Sequence, residues 1–344
     1  MTDRVLELKP HNSSGENRNP SQGEVLVTGG AGFIGSHLTE ALVAGGRRVR
    51  VLDNLSSGAL SNLSGVRDKI EFVEGDIRDR ELLGKTLRKV SLVFHLAAMA
   101  SVPLSLTDPA LCLAINGEGA LNVFEEAVRA GASRLVYAST SAVYGDLPGP
   151  HAESLAPRAD TPYAALKLLG ENFALYYQEQ RGLDTVSLRY FNVYGPRQSP
   201  DGPDSGVIPR FIKKISRGEP PLIHGDGSQT RDFIHVSDVV RATILAGKAG
   251  APGGIYNIAT GAPVSINSLA ELLRELSPGS PPPEYLPARP GDPEHSWGSV
   301  ERAARDLGFR PALDLAEGLK GLLEERARKS GGESRKGRGP GARY

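Results

Sequence analysis

The 344-residue sequence predicts an α/β protein, a parallel sheet wound on both faces by helices with a smaller C-terminal lobe attached. Three observations predict it. Short apolar runs of strand character alternate with stretches of helical period from Glu24 to Asn192. A glycine cluster separates the first such run from the first helical stretch. After Asn192 the composition turns to loops rich in Pro, Gly and Asp between shorter elements.

In chain order, EVLVTG from Glu24 reads as a buried strand, GFIGSHLTEALVAGG from Gly32 as a helix, and RVRVLD as a second strand ending at Asp53. IEFVEGD, SLVFHLA, RLVYAST and TVSLRYF supply further strands, with helical stretches between several of them. Alternation of this kind makes parallel strands, because each crossover helix returns the chain to the same end of the sheet. Thr161-Pro162-Tyr163 reads as a helix start, with Thr161 as cap and Pro162 in the first turn. Beyond Asn192, the loops YGPRQSPDGPDSG, HGDGSQTRD and PARPGDPEH flank helices expected at Ile208–Arg217 and Ile266–Leu276. Both ends read as tails: residues 1–23 lack hydrophobic period, and residues 326–344 are basic and Gly-rich, a composition that cannot bury enough surface to offset ordering.

Forty basic and forty acidic side chains leave no net charge, which removes the simplest case for a nucleic-acid or anionic-membrane binder. The balance is uneven along the chain, since seven basic residues and one acid lie from Arg326 onward and the rest is correspondingly acidic. One cysteine, Cys112, excludes an intramolecular disulfide framework and a multi-thiolate metal site, and no metal site is expected. With no apolar run near the length of a membrane span and no secretory leader, the expected setting is a soluble, cytoplasmic one.

Gly29, Gly32 and Gly35 lie between the first strand and the first helix. Glycines there permit a tight turn and close backbone approach, and the helix start, with Phe33 and Ile34 in its first turn, offers amides and a positive dipole end to a pyrophosphate. Asp53, followed by Asn54, closes the second strand 18 residues beyond Gly35, where a carboxylate accepts hydrogen bonds from a ribose diol and repels a 2′-phosphate. The cofactor expected is therefore NAD rather than NADP.

TGGAGFIG, GDIRD at 75–79, HLAAMASV at 95–102, Tyr163-x-x-x-Lys167 and RYFNVYGPRQ at 189–198 resemble the extended short-chain dehydrogenase/reductase family, in particular its nucleotide-sugar epimerases and dehydratases. The resemblance covers roughly residues 24–325. It implies a Rossmann-type doubly wound parallel sheet, with an NAD-binding domain at 24–192 that takes back segments from the C-terminal half, and a lobe at 193–325 that mainly binds the nucleotide sugar. It would put Asp76 and Ile77 at the adenine, Leu96, Ala97 and Ala98 along the cofactor, and Asn116 and Tyr190 beside it. A homodimer pairing the helices near 108–130 and 162–181 is implied as well.

Tyr163 and Lys167 are four apart on one helix face. A phenol with a reference pKa near 10 is a poor base at neutral pH, so it needs nearby positive charge, which Lys167 and an oxidised nicotinamide would supply. The third group should be a hydroxyl at a strand end. Aligning the VYG ending of ASTSAVYG with the family selects Thr140, with Ser139 and Ser141 as neighbouring alternatives. Sugar 4,6-dehydratases of the family carry acidic residues directly after this hydroxyl, and its glucuronate decarboxylases carry a glutamate where Ala142 stands. Ser141 and Ala142 leave 4-epimerisation: Tyr163 takes the proton of the 4-hydroxyl, hydride passes to NAD, and the 4-keto sugar turns its other face before hydride returns. Other readings are a decarboxylase, dehydratase or reductase of the same family, or, in a different class, a non-catalytic NAD-dependent regulator.

At the nucleotide-sugar end, the resemblance assigns Arg231 and Arg289 to the diphosphate, Asp292 to the nucleoside ribose, and Asn192 and Ser141 to phosphate or sugar. It sets Val207, Leu222 and His224 around a uracil. Ser296 stands where a bulky tyrosine would restrict an epimerase to glucose and galactose; a small residue there leaves room for an N-acetyl group. UDP-glucose, UDP-galactose and UDP-N-acetylhexosamines are thus the expected substrates. A uronic acid sugar is disfavoured by Ser199 after the PRQ segment, although Arg197 could face its carboxylate.

Overall fold

A computed structural model describes residues 23–202, 205–248, 253–288 and 293–336. The chain alternates as expected: β1 (Glu24–Thr28), α1 (Phe33–Ala44), β2 (Val49–Asp53), β3 (Ile70–Glu74), α2 (Arg80–Thr86), β4 (Val90–His95), α3 (Val102–Thr107), α4 (Pro109–Cys112), α5 (Ala120–Arg129), β5 (Arg134–Thr140), α6 (Pro162–Arg181) and β6 (Asp184–Tyr190). There follow β7 (Asn192–Tyr194), α7 (Val207–Ile215), β8 (Leu222–His224), β9 (Thr230–His235), α8 (Val236–Ala246), β10 (Gly254–Ile258), β11 (Pro263–Ser265), α9 (Ile266–Leu276), β12 (Glu284–Leu286), β13 (His295–Ser296), α10 (Glu301–Leu307) and α11 (Leu315–Lys336).

Seven strands form one parallel sheet in the order β10-β6-β5-β4-β1-β2-β3. The chain starts at β1, winds outward through β2 and β3, then crosses back to β4, β5 and β6. This is the doubly wound Rossmann-type arrangement, and the reversal between β1 and β4 opens a crevice at the C-terminal strand ends. Both faces of the sheet are buried. Val25, Val27, Val136, Val186 and Leu188 pack with α1 and α8 on one side, and Leu26, Val93, Leu135 and Tyr137 with α5 and α6 on the other. Each fully buried aliphatic side chain contributes about 1.5–3 kcal/mol.

β10, although it comes after the C-terminal lobe has begun, returns to the edge of this sheet beside β6. The lobe itself is built on β9, which pairs with β7, β11 and β13, with β8 and β12 as a separate parallel pair. Its core joins Phe211, Ile223, Phe233 and Leu269.

Capping residues fix the element that matters most. Thr161 Oγ1 accepts from Ala164 N at 3.2 Å, Pro162 opens α6, and the helix ends at Gly182 in the left-handed conformation. Helices α7 and α9 fall where the period places them. The C-terminal end differs from expectation. Composition ends regular structure at Arg326, whereas α11 runs to Lys336. Leu319 is fully buried and Leu315, Leu322 and Leu323 pack beside it, so the lobe core nucleates the helix, and each further residue then adds a bond without a new nucleus.

Candidate functional site

Most of the residues predicted for the cofactor and for catalysis gather around the C-terminal ends of β1 to β6. At the first of these, Gly29 has φ +70°, and a Cβ there would lie 2.7 Å from Ala97 N. A Cβ on Gly35 would collide with the Gly29 carbonyl, so that glycine lets α1 sit against the turn. Gly32 caps α1 without any side-chain bond, the first turn carries no acid, and the turn therefore presents backbone donors with no side-chain acceptor. This is a cradle for a diphosphate, and it fits a dinucleotide. Phe33 and Ile34 pack partly on the core beneath it.

Asp53, 7% exposed, is held by two amides: Ala31 N donates to Oδ2 at 2.9 Å and Leu55 N to Oδ1 at 2.8 Å. A carboxylate has about four lone-pair sites, so acceptor capacity for a ribose remains. Asn54 donates to Asp76 at 3.0 Å, and Arg78 beside Asp76 holds that carboxyl down at about 2. Ile77 is buried, and a Cβ on Gly119 would meet it. After β4, Leu96 N donates to Thr28 O and Ala97 N to Thr28 Oγ1, which ties the segment through Ala98 to the glycine turn. Thr28 Oγ1 also pairs at 2.8 Å with Nδ1 of His95, a buried imidazole whose pKa burial pushes down to about 3.

Two further residues are engaged within the protein. Asn116, in a π-helical stretch at Leu113–Gly119, accepts from Met99 N at 2.8 Å and donates to Met99 O at 3.0 Å, pinning the loop after β4. The Tyr190 hydroxyl bonds Thr243 Oγ1 on α8 at 2.7 Å.

Thr140 ends β5, and its Oγ1 accepts from Ala142 N at 3.1 Å at the start of a 3-10 turn over Ser141–Tyr144. Tyr163 and Lys167 face this strand from α6, 9% and 4% exposed. Lys167 Nζ donates to Ala138 O at 2.8 Å and lies 5.0 Å from the centre of the Tyr137 ring. Burial lowers its amine to about 8. Of the three neighbouring hydroxyls, Ser139 is committed to the Glu171 carboxylate at 2.5 Å. Thr140 and Ser141 are only partly covered.

In the C-terminal lobe, a cavity of about 570 Å³ brings together Asn192, Val207, Leu222, His224 and Arg231. Four cations of α7 and the residues after it, Arg210, Lys213, Lys214 and Arg217, line it too. They recur at helical spacing in VIPRFIKKISR, a signal that sequence reading passes over because surface helices carry such stripes so often. Thr140, Tyr163 and Lys167 do not line this cavity. Ser296, 8% exposed, pairs in register with Arg231 across β13 and β9. Next to Arg231, the buried Asp232 carboxylate accepts from Thr260 N, Thr260 Oγ1, Gly261 N and Gly298 N, joining three segments in one knot. Arg289 and Asp292 lie outside the described residues.

Arg197 is turned to α1. Its Nη2 donates to both Glu40 oxygens at 2.7 Å and its Nη1 to Ser36 Oγ at 3.1 Å, so the guanidinium is engaged on the cofactor helix.

A doubly wound sheet with a glycine turn after β1, and a tyrosine and lysine one helical turn apart against the end of β5, defines an enzyme built around a bound dinucleotide. The model of the NAD dependent epimerase/dehydratase family matches residues 25–259, and the chain belongs to that family. It is 39% identical over 304 residues to a UDP-glucose 4-epimerase of Mycolicibacterium smegmatis, covering 87% of this chain and 97% of that relative. Among solved structures, a UDP-N-acetylglucosamine 4-epimerase from Methanobrevibacter ruminantium in complex with UDP-N-acetylmuramic acid superposes with a TM-score of 0.85 at 38% identity, over 89% of this chain and 99% of that one. The UDP-glucose 4-epimerase of Thermotoga maritima with UDP-glucose gives the same TM-score, identity and coverage.

Proposed function

We propose that this protein is an NAD-dependent 4-epimerase of UDP-linked sugars, interconverting UDP-glucose with UDP-galactose and UDP-N-acetylglucosamine with its galacto epimer. The observation that carries the reading is the end of β5, where a tyrosine–lysine helix face meets Thr140 and the next residues are Ser141 and Ala142, without the acid that elimination or decarboxylation needs. The Gly29–Gly35 turn, Asp53 and the segment after β4 would hold NAD, which when bound would supply the removal and return of hydride at carbon 4. Tyr163 accepts the 4-hydroxyl proton and later gives it back, which takes a phenolate. Lys167, a buried amine held by the Ala138 carbonyl, favours that phenolate by its charge. Thr140 bonds the same sugar oxygen and fixes its direction. Inversion follows when the 4-keto sugar presents its opposite face while its nucleotide stays anchored.

Anchoring falls to the lobe: Arg231 and Arg289 take the diphosphate, Asp292 the ribose, Asn192 and Ser141 phosphate or sugar, and Val207, Leu222 and His224 the uracil. The engagement of Arg197 with Glu40 speaks against a uronic acid sugar. Among the described residues, seven of the nine large apolar side chains that stand exposed, Leu104, Leu106, Leu111, Leu113, Leu121, Leu175 and Tyr176, lie between α3 and α6, which supports a homodimer formed through these helices. No helix among the described residues is long and apolar enough to cross a membrane, and a reducing, cytoplasmic setting accords with the single buried thiol of Cys112.

The test is to incubate the purified protein, with no cofactor added, with UDP-glucose and UDP-N-acetylglucosamine and follow the sugar protons by NMR. Epimerisation of both, abolished by Tyr163→Phe, is expected. Absence of conversion of either sugar by the unaltered protein would sink the reading.

A further inference from the structure

Behind Tyr163 and Lys167 lies a charge pair that the reaction does not use. Glu171 continues the same face of α6 one turn further on, and both it and Arg189 of β6 are 1% exposed. Arg189 grips the carboxylate with two bonds, Nε to Oε1 at 2.9 Å and Nη2 to Oε2 at 2.6 Å. Ser139 donates to the same Oε1, and Ser139 and Arg189 are register partners on adjacent strands. One carboxylate on the helix is thereby bonded to the ends of two strands.

We propose that Glu171, Arg189 and Ser139 are positioning residues that set the Tyr163–Lys167 face of α6 against Thr140 at the tip of β5. The proposal rests on the roles given above to those three groups. Apolar packing alone leaves a helix free to slide or turn slightly on a sheet, and a slip of one residue rotates its side chains by about 100°. A bidentate guanidinium–carboxylate pair does not tolerate that, because both bonds share one plane. Buried ion pairs are poor stabilisers against apolar replacements, so geometry is the better account of this one.

Two features place that geometry at the reacting groups. The bond from Lys167 to Ala138 O and the bond from Ser139 to Glu171 fasten consecutive residues of β5, and Thr140 is the next. On the other side of Thr140, the Arg189 guanidinium lies 4.7 Å from the centre of the Tyr144 ring, whose hydroxyl donates to Asn257 Oδ1 on β10 at 2.8 Å. Arg189 thus holds the strand end and the turn that follows it. Gly170 admits the close approach, since a Cβ there would run into the Tyr137 ring.

The test uses charge-conserving variants, Arg189→Lys and Ser139→Ala, in the protein as purified with its cofactor. The titratable groups around the Tyr163–Lys167 pair come from every neighbouring element: Glu171 on α6, Tyr137 on β5, His95 on β4, Cys112 on α4 and Arg189 on β6. Neither variant changes their total charge. Three quantities are measured: kcat and KM for UDP-glucose, the Kd for UDP, and the ionisation of Tyr163 as the ultraviolet difference against Tyr163→Phe. Loss of position lowers kcat by about 10- to 100-fold with KM and the UDP Kd within about twofold. It also raises the Tyr163 midpoint by about one pH unit, as Lys167 no longer faces the phenol. The proposal is overturned if folded variants keep kcat and midpoint, or if KM and the UDP Kd worsen in step with kcat, as general loosening would produce. Should Arg189→Lys not fold, Ser139→Ala decides alone. Should the unaltered protein fail to epimerise, the functional reading falls, and the Tyr163 midpoint still decides this one.

Discussion

Lys167 is a cation placed where water cannot reach it, and its pKa of about 8 is the result. Because the folded value lies below the usual 10.5, the unfolded chain keeps a proton that the folded one has released between these two pH values. This group therefore adds stability as pH rises from about 8 toward 10.5, while in the folded protein its charge is lost around pH 8. Activity is expected to fall above about pH 8, and a pH–rate profile of Lys167→Arg should lack that limb, since a guanidinium does not titrate there. On the proposed reading Ser296 lies beside the sugar's 2-substituent and bears on a different quantity, the choice of sugar. Ser296→Tyr fills the space beside the sugar's 2-substituent, so kcat/KM for UDP-N-acetylglucosamine should drop by about 10- to 100-fold while that for UDP-glucose holds within about twofold. Steady-state assays on both sugars check this, and equal losses reject the gate.

Elements differ in how plainly the sequence announces them. α6 is legible because its cap, its Pro162 and its closing Gly182 are local signals, and the same helix carries the Tyr163 and Lys167 spacing. β11, β12 and β13 have two or three residues each, too few for any period, and exist because neighbouring strands pair with them. The partner of Asn116 in the π-helical stretch, Met99, is likewise a tertiary contact that no local signal announces. Within the site, the glycine turn was readable from spacing and Thr140 and Arg231 were suggested by the family resemblance, whereas the pairing of Thr28 with His95, Glu171 with Arg189 and Glu40 with Arg197 was not legible. Those partners stand 67, 18 and 157 residues apart, and only the fold brings them together. The last pair clamps the loop after β7 to α1 although Arg197 has φ +67°, a conformation that disfavours side chains. Arg197→Ala loses the clamp and keeps the strain, and Arg197→Gly loses both. Urea unfolding should find the alanine variant less stable than the parent by about 1–2 kcal/mol. It should also find it less stable than the glycine variant by up to about 1 kcal/mol.

At the scale of the whole molecule, the proposed dimer face is the one that carries the exposed leucines between α3 and α6. Leu106, 61% exposed, and Tyr176, 44% exposed, are the test positions. Light scattering should give twice the chain mass for the unaltered protein, and the chain mass itself for Leu106→Glu/Tyr176→Glu. A dimeric mass for that double variant rejects the interface. On the proposed reading the two ends of the ligand rest on different parts of the fold, with Thr140 on β5, Tyr163 and Lys167 on α6 against the seven-stranded sheet, and Ser296 on β13, a strand held by two rungs beside β9. β13 pairs with β9 and with no strand of the seven-stranded sheet. Sugar preference can accordingly drift in evolution while the chemistry stays fixed, and a single scaffold can be retuned from one nucleotide sugar to another without refolding its catalytic half.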